Sequence, residues 1–106
     1  MTLIQGEQYP IHFSIMDGAE EFDPSAVSEL ILTIGYEQEI VKKLSDNEIS
    51  YDSESQNYYF TILTEDTENL TPSSYPIQLK LKDTNNNVYI MKADDVIILK
   101  SINKEE

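Results

Sequence analysis

Apolar residues in this chain recur in short runs, and within most runs they alternate with polar ones. From Tyr75 to Lys82 the alternation is complete, with Ile77, Leu79 and Leu81 interleaved with Gln78, Lys80 and Lys82. This is the period-two pattern of a strand with one face in a core and the other in water. Tyr58, Phe60 and Ile62 alternate with Tyr59, Thr61 and Leu63, which makes a strand apolar on both faces and predicts a central place in its sheet. Between these two strands, Thr64 to Leu70 reads as a short helical turn near residues 65–70. Thr64 is the expected N-cap, the carboxylates of Glu65, Asp66 and Glu68 suit the positive end of the turn, Leu70 points inward, and Pro72 ends it.

The remaining runs follow the same grammar. Gln8 to Met16 is a strand with Tyr9, Ile11, Phe13 and Ile15 on one face; Pro10 cannot donate to a ladder and puts this strand at an edge or a kink. Residues 17–26 form a polar connection punctuated by Asp17-Gly18 and Asp23-Pro24, with Phe22 anchoring it to the core. The next strand runs from Val27 to Tyr36 with Leu30, Leu32 and Ile34 in register and Gly35 weakening its end. Glu39 and Lys43 are spaced for a helical pair, yet Ile40, Val41 and Leu44 make too little of a helical face, so a strand is preferred for residues 37–44. Ser45 to Glu48 is a turn, Ile49 and Tyr51 mark a short strand, and Asp52 to Gln56 is another turn. Asp83 to Asn87 is a hairpin turn, because asparagine tolerates left-handed backbone. Val88 to Met91 and Val96 to Ile102 supply the last strand or pair of strands, and residues 103–106 form a frayed charged tail.

The sum is seven or eight short strands at a spacing of roughly 8 to 12 residues, which predicts an all-β fold, an antiparallel β-sandwich forming a single domain over residues 1–102. An immunoglobulin-like arrangement is favoured by the corner before the 75–82 strand, where Tyr75 is placed to bond its hydroxyl to the backbone just upstream. The cysteine pair and core tryptophan of antibody domains are missing.

Composition narrows the function classes. With no cysteine there is neither a disulfide framework nor a thiolate metal site, and the core must carry the stability. Twenty acidic residues stand against 7 lysines and no arginine, a formal net charge of −13. Such a surface repels phosphates, so no nucleic-acid partner is expected through a basic patch; a DNA mimic with carboxylates in place of phosphates is the sharp alternative. Acidic residues are spread along the chain, 12 of the 20 lying in positions 1–55, so there is no separate acidic tail. Residues 1–20 have neither a basic n-region nor an apolar h-region, and no window approaches the roughly 20 apolar residues of a membrane span. A soluble, non-exported product with no membrane partner is expected.

Site chemistry is sparse. His12 is the only histidine; it lies on the strand face opposite Ile11 and Phe13, with no nucleophile motif beside it, and reads as an exposed strand residue. No serine sits in a G-x-S-x-G elbow, and no catalytic residue or cofactor is expected. Asp94 and Asp95, or Asp17, Glu20, Glu21 and Asp23, could offer oxygen ligands to calcium, but the spacing is not that of an EF-hand and solvated loop carboxylates are the simpler reading. Seven tyrosines invite a sugar platform, with Tyr36, Tyr51, Tyr59 and Tyr89 the candidates beside Tyr58; strand packing and interfaces use tyrosine for the same amphipathic reason.

The segment YDSESQNYYFTILTEDTENL, with L-T-E-D-T at 63–67, the closing stretch SSYPIQLKLKDTNNNVYIMKADDVIILKSINKE, and the opening GEQYPIHFSI resemble small immunoglobulin-like β-sandwich structural proteins of tailed bacteriophages and prophages of Gram-positive bacteria. The likeness is one of pattern and covers roughly half to two-thirds of the chain. It implies a virion protein of the head-tail, tail or baseplate region, made in the host cytoplasm, with no catalytic residues. Its partners would be other virion proteins, including further copies of itself, and its function would lie on faces and edge strands. The competing class is a binding module, either a carbohydrate-binding sandwich or an acidic DNA-mimic inhibitor.

Overall fold

The computed structural model of the chain describes residues 2–17 and 20–100, and within them every side chain except those of Asp17, Glu21 and residues 92–96. In chain order the strands are β1 (Thr2–Ile4), β2 (Tyr9–Phe13), β3 (Met16–Asp17), β4 (Glu20–Glu21), β5 (Val27–Ile34), β6 (Ile40–Lys43), β7 (Ser50–Asp52), β8 (Asn57–Ile62), β9 (Ser73–Asp83) and β10 (Val88–Leu99). A 3₁₀ turn spans Pro24–Ala26 and one helical turn, α1, spans Thr64–Thr67.

Eight of these strands form two sheets, β1-β10-β9-β5-β6 and β2-β8-β7, while β3 and β4 pair only with each other. Alternation decides what lies between the sheets. Leu30, Leu32 and Ile34 of β5, Ile77, Leu79 and Leu81 of β9, and Ile98 of β10 meet Ile11 of β2 and Tyr58, Phe60 and Ile62 of β8 in one buried cluster. This is an all-β sandwich, with β2, β8 and β7 on one side and the β10-β9-β5 core of the other sheet facing them. Its corner is present: the Tyr75 hydroxyl donates to the Thr71 carbonyl at 2.5 Å. Nearby, Thr67 is fully buried and accepts the Gly6 N–H at 2.9 Å, while Gln5 Nε2 donates to the Leu70 carbonyl at 2.6 Å. These bonds tie the β1–β2 turn to the acidic turn.

Several expectations hold in detail. β2, which carries Pro10, is an edge strand and β8 is the centre of its sheet. Phe22 packs on the core and its ring meets Tyr89 edge-on at 6.0 Å. Gly35 takes φ +96° at the end of β5, where a Cβ would run into the Glu39 side chain, so the turn into β6 requires glycine. Gln38, Asn47, Gln56 and Asn86 also have positive φ, which places left-handed residues in four of the turns.

Other expectations are corrected. β1 is an additional strand that pairs in parallel with β10, Thr2 opposite Ile97 and Ile4 opposite Leu99, so the sandwich is not wholly antiparallel. The strand over residues 8–16 stops at Phe13, and Tyr9 is exposed. The polar connection contains the β3–β4 ribbon. Thr64 lies inside α1 and does not cap it; Leu63 holds that position, and its N–H is satisfied by Asp66 Oδ2 at 2.7 Å, a carboxylate reaching back where the capping side chain is apolar. The last strand is continuous, with a register shift between Ala93 and Val96, because a bulge absorbs the extra residue without ending the pairing. The tail at residues 103–106 lies outside the described residues.

The β9–β10 turn is organised by a buried carboxylate. Asp83 Oδ1 accepts the N–H groups of Asn85 and Asn87, each at 2.8 Å, and its Oδ2 accepts from Asn87 Nδ2 at 3.1 Å. The Asn87 N–H is the strongest influence on this carboxyl and, against the effect of desolvation, holds its pKa below the ordinary 3.8. A carboxyl with a lower pKa in the folded chain contributes stability above its unfolded value, and loses that contribution as pH falls through the folded one. The stability gap between wild type and Asp83→Asn is therefore expected to be present at about pH 6 and to close on acidification below about pH 4. Urea titrations across that range check it; a gap that stays constant to about pH 2 contradicts the assignment.

Candidate interaction surface

The residues considered for chemistry do not converge. His12 stands on the outer face of the three-stranded sheet opposite Tyr59, ring centroids 5.6 Å apart, and its Nδ1 is 3.4 Å from Asn57 Oδ1. No serine hydroxyl is hydrogen-bonded to it among the described residues. Ser55 Oγ lies 2.9 Å from Asp52 Oδ2, and this hydroxyl, followed by the Glu54 N–H, holds the Asp52 pKa below its ordinary value. Asp23 caps the 3₁₀ turn by accepting the Ser25 N–H at 3.0 Å, which lowers its pKa likewise. Glu20 is exposed, whereas the side chains of Asp17, Glu21, Asp94 and Asp95 lie outside those described. Among the described residues no three metal-ligating side chains come together.

The tyrosines are dispersed. Tyr36 is 91 % exposed at the β5–β6 turn. Tyr59 is on the outer face of β8, Tyr58 is buried with Tyr51 tilted against it at 4.9 Å, and Tyr89 meets Phe22.

What the fold does assemble is a face. Inward pointing of Ile77, Leu79 and Leu81 leaves Gln78, Lys80 and Lys82 on the outside of β9. Register sets Ile31 of β5 between Lys80 of β9 and Lys43 of β6, and Thr33 between Gln78 and Val41. On the other flank, Val88 and Ile90 of β10 stand opposite Lys82 and Lys80. The result is a shallow trough of about 730 Å³, with half-buried Ile31 and Val41 in it beside Thr33 and Gln78, the exposed Ile90 at its rim, and Val88 further along the same face. Glu29, the carboxylate on this face, is turned toward backbone: it accepts the N–H groups of Leu30 at 2.9 Å and Ser45 at 3.0 Å. Burial pushes its pKa up, but the Ser45 hydroxyl, then these N–H groups and the Lys43 charge, outweigh that and hold it below the ordinary value. In a chain of net charge −13, Lys43, Lys80 and Lys82 gather on one partly apolar face.

Alternation along β9 already puts Lys80 and Lys82 on an outer face. That Lys43, Ile31 and Ile90 join them depends on cross-strand register, which local periodicity does not carry. No protein-family model matches the chain, and neither a curated protein nor a solved structure matches it.

Proposed function

We propose that the protein is a non-enzymatic structural component of a tailed-bacteriophage virion, acting by protein–protein assembly in the head-tail, tail or baseplate region. Its partners are other virion proteins, further copies of itself included, and it travels from the host cytoplasm into the particle. The observation that carries this reading is the outer face of the five-stranded sheet. A trough of mixed apolar and polar lining that holds Lys43 and Lys80, with Lys82 further along the same face, suits a protein surface with apolar and acidic groups, since exposed apolar patches mark interaction sites and charge sets their register. The motif resemblance at L-T-E-D-T supplies the virion context.

The test is co-expression with candidate portal and tail proteins, followed by affinity purification and negatively stained grids. Co-purification with those proteins, or ring-shaped particles containing the chain, is the expected result, with Lys43→Glu/Lys80→Glu reducing recovery about tenfold or more. A strictly monomeric protein that instead blocks a nuclease at stoichiometric ratio sinks the reading in favour of DNA mimicry.

A further inference from the structure

The two halves of β10 differ along the edge that faces away from β9. β9 flanks β10 along its length, whereas β1 covers it only from Ile97 to Leu99. Among the described residues no strand pairs with that side of Val88–Met91. Cover ends close to the register shift between Ala93 and Val96, where a bulge separates the covered part of the edge from the open part.

An open edge is a row of unpaired N–H and C=O groups, and native sheets blunt such rows with proline, charge or brevity. The other edges here are blunted: β2 carries Pro10, β1 and β7 are three residues long, and β6 is four residues with Lys43 on its outer face. Val88–Met91 is four apolar residues in succession, with no proline and no charge. Three of them, Val88, Tyr89 and Ile90, are exposed.

Beside this edge runs a groove of about 450 Å³. Ile15, Met16 and Phe22 form one wall, and Tyr89 and Met91, which register with Leu81 and Leu79 on the inner face, form the other. Leu81, itself fully buried, lies behind the groove's floor, and among the described side chains none that lines it is charged. An unpaired backbone row is satisfied by an extended polypeptide, and a lining without charge selects apolar side chains at the inward positions, which recur every second residue. β1 already shows that this edge accepts a strand. The open part, from Val88 to the bulge, takes about six residues, roughly 20 Å of extended chain, of which Val88–Met91 are uncharged and Lys92 follows.

We propose that the open half of β10 is a docking edge for an extended, uncharged segment of a partner polypeptide, which adds a strand beside Val88–Met91 and seats alternate apolar side chains against Met16 and Phe22. The site adjoins the trough and shares Ile90 with it, but it is centred on Met16, Phe22, Tyr89 and Met91, and it holds whether or not the protein belongs to a virion.

The probe is an acetylated and amidated peptide of about seven residues alternating isoleucine with threonine, titrated into the isotope-labelled full chain. The expected result is shift changes at residues 15, 16, 22 and 88–91, slower amide exchange within 88–91, and about tenfold weaker binding by Met16→Lys and by Val88→Lys. Both substitutions are at exposed positions, and each variant's folding is checked by its methyl spectrum. The same peptide with a central proline is expected not to bind, because it cannot complete the ladder. Equal binding of the proline peptide, shifts confined to other surfaces, or unchanged binding by the lysine variants overturns the proposal. So does concentration-dependent self-pairing of the chain at residues 88–91, which would make a second copy the occupant.

Discussion

Leu81→Ala is expected to lower the unfolding free energy by about 3 to 5 kcal/mol, the upper part of the range for truncating a buried leucine. Leu81 is fully buried on the strand that lies between β5 and β10, opposite Leu30 on one side and Tyr89 on the other. Both neighbours are held by backbone ladders, so the space left by the side chain cannot close by a strand moving inward. The loss is thus the transfer term plus a cavity term, set against a total of about 5 to 15 kcal/mol for a domain. Urea unfolding followed by far-ultraviolet dichroism should show a lower midpoint at an unchanged slope. Val88→Ala, at an exposed position of the adjacent strand, is the control and should stay within about 0.5 kcal/mol. A loss below about 1 kcal/mol for Leu81→Ala would contradict the packing described.

The second large effect concerns the ion pair between Lys42 and Asp66, whose Nζ and Oδ2 are 2.9 Å apart with side chains 7 % and 19 % exposed. Lys42 points inward from β6, so removing its partner leaves a desolvated ammonium with nothing to offset its charge. Asp66→Ala is expected to cost about 2 to 4 kcal/mol, somewhat below the range for a fully enclosed pair because Asp66 keeps some contact with water. Part of that loss is the Leu63 N–H, which Asp66 also accepts. Lys42→Met should cost far less, within about 1 kcal/mol, since the methionine fills much of the same volume without a charge to desolvate. In the double variant, Asp66→Ala should therefore cost less than it does alone, and the coupling from the four proteins measures the pair. If Asp66→Ala costs the same in the Lys42→Met background, the pair is not an energetic unit.

Where periodicity and burial agree, the fold was legible. β9 and β8 show their inner faces in the alternation of Ile77-Leu79-Leu81 and Tyr58-Phe60-Ile62, Pro10 signals an edge through its missing donor, and Tyr75 marks the corner by its place after the acidic turn. β1 was not legible, because Thr2–Ile4 is too short to show a period and is a strand by virtue of pairing in parallel with Ile97–Leu99. The burial of Lys42 had a signal in its alternation with Ile40, but a lysine at an inward position is tolerable only beside a carboxylate, and Asp66 comes from a distant turn. The cap of α1 has a related cause: a threonine such as Thr64 is a good cap in isolation, while here the backward reach of Asp66 shifts the start to Leu63.

Residue order alone thus carried the all-β class, the edge position of β2, the inward residues of the long strands, and the excess of negative charge. Each follows from chemistry within a few residues, where proline, alternation and turn residues act locally. The tertiary arrangement decided the gathering of Lys43, Lys80 and Ile31 on one face, the pairing of Lys42 with Asp66, and the division of β10 into a covered and an open edge. Those features depend on register between strands far apart in the chain, and a shift of one residue would turn every side chain to the opposite face.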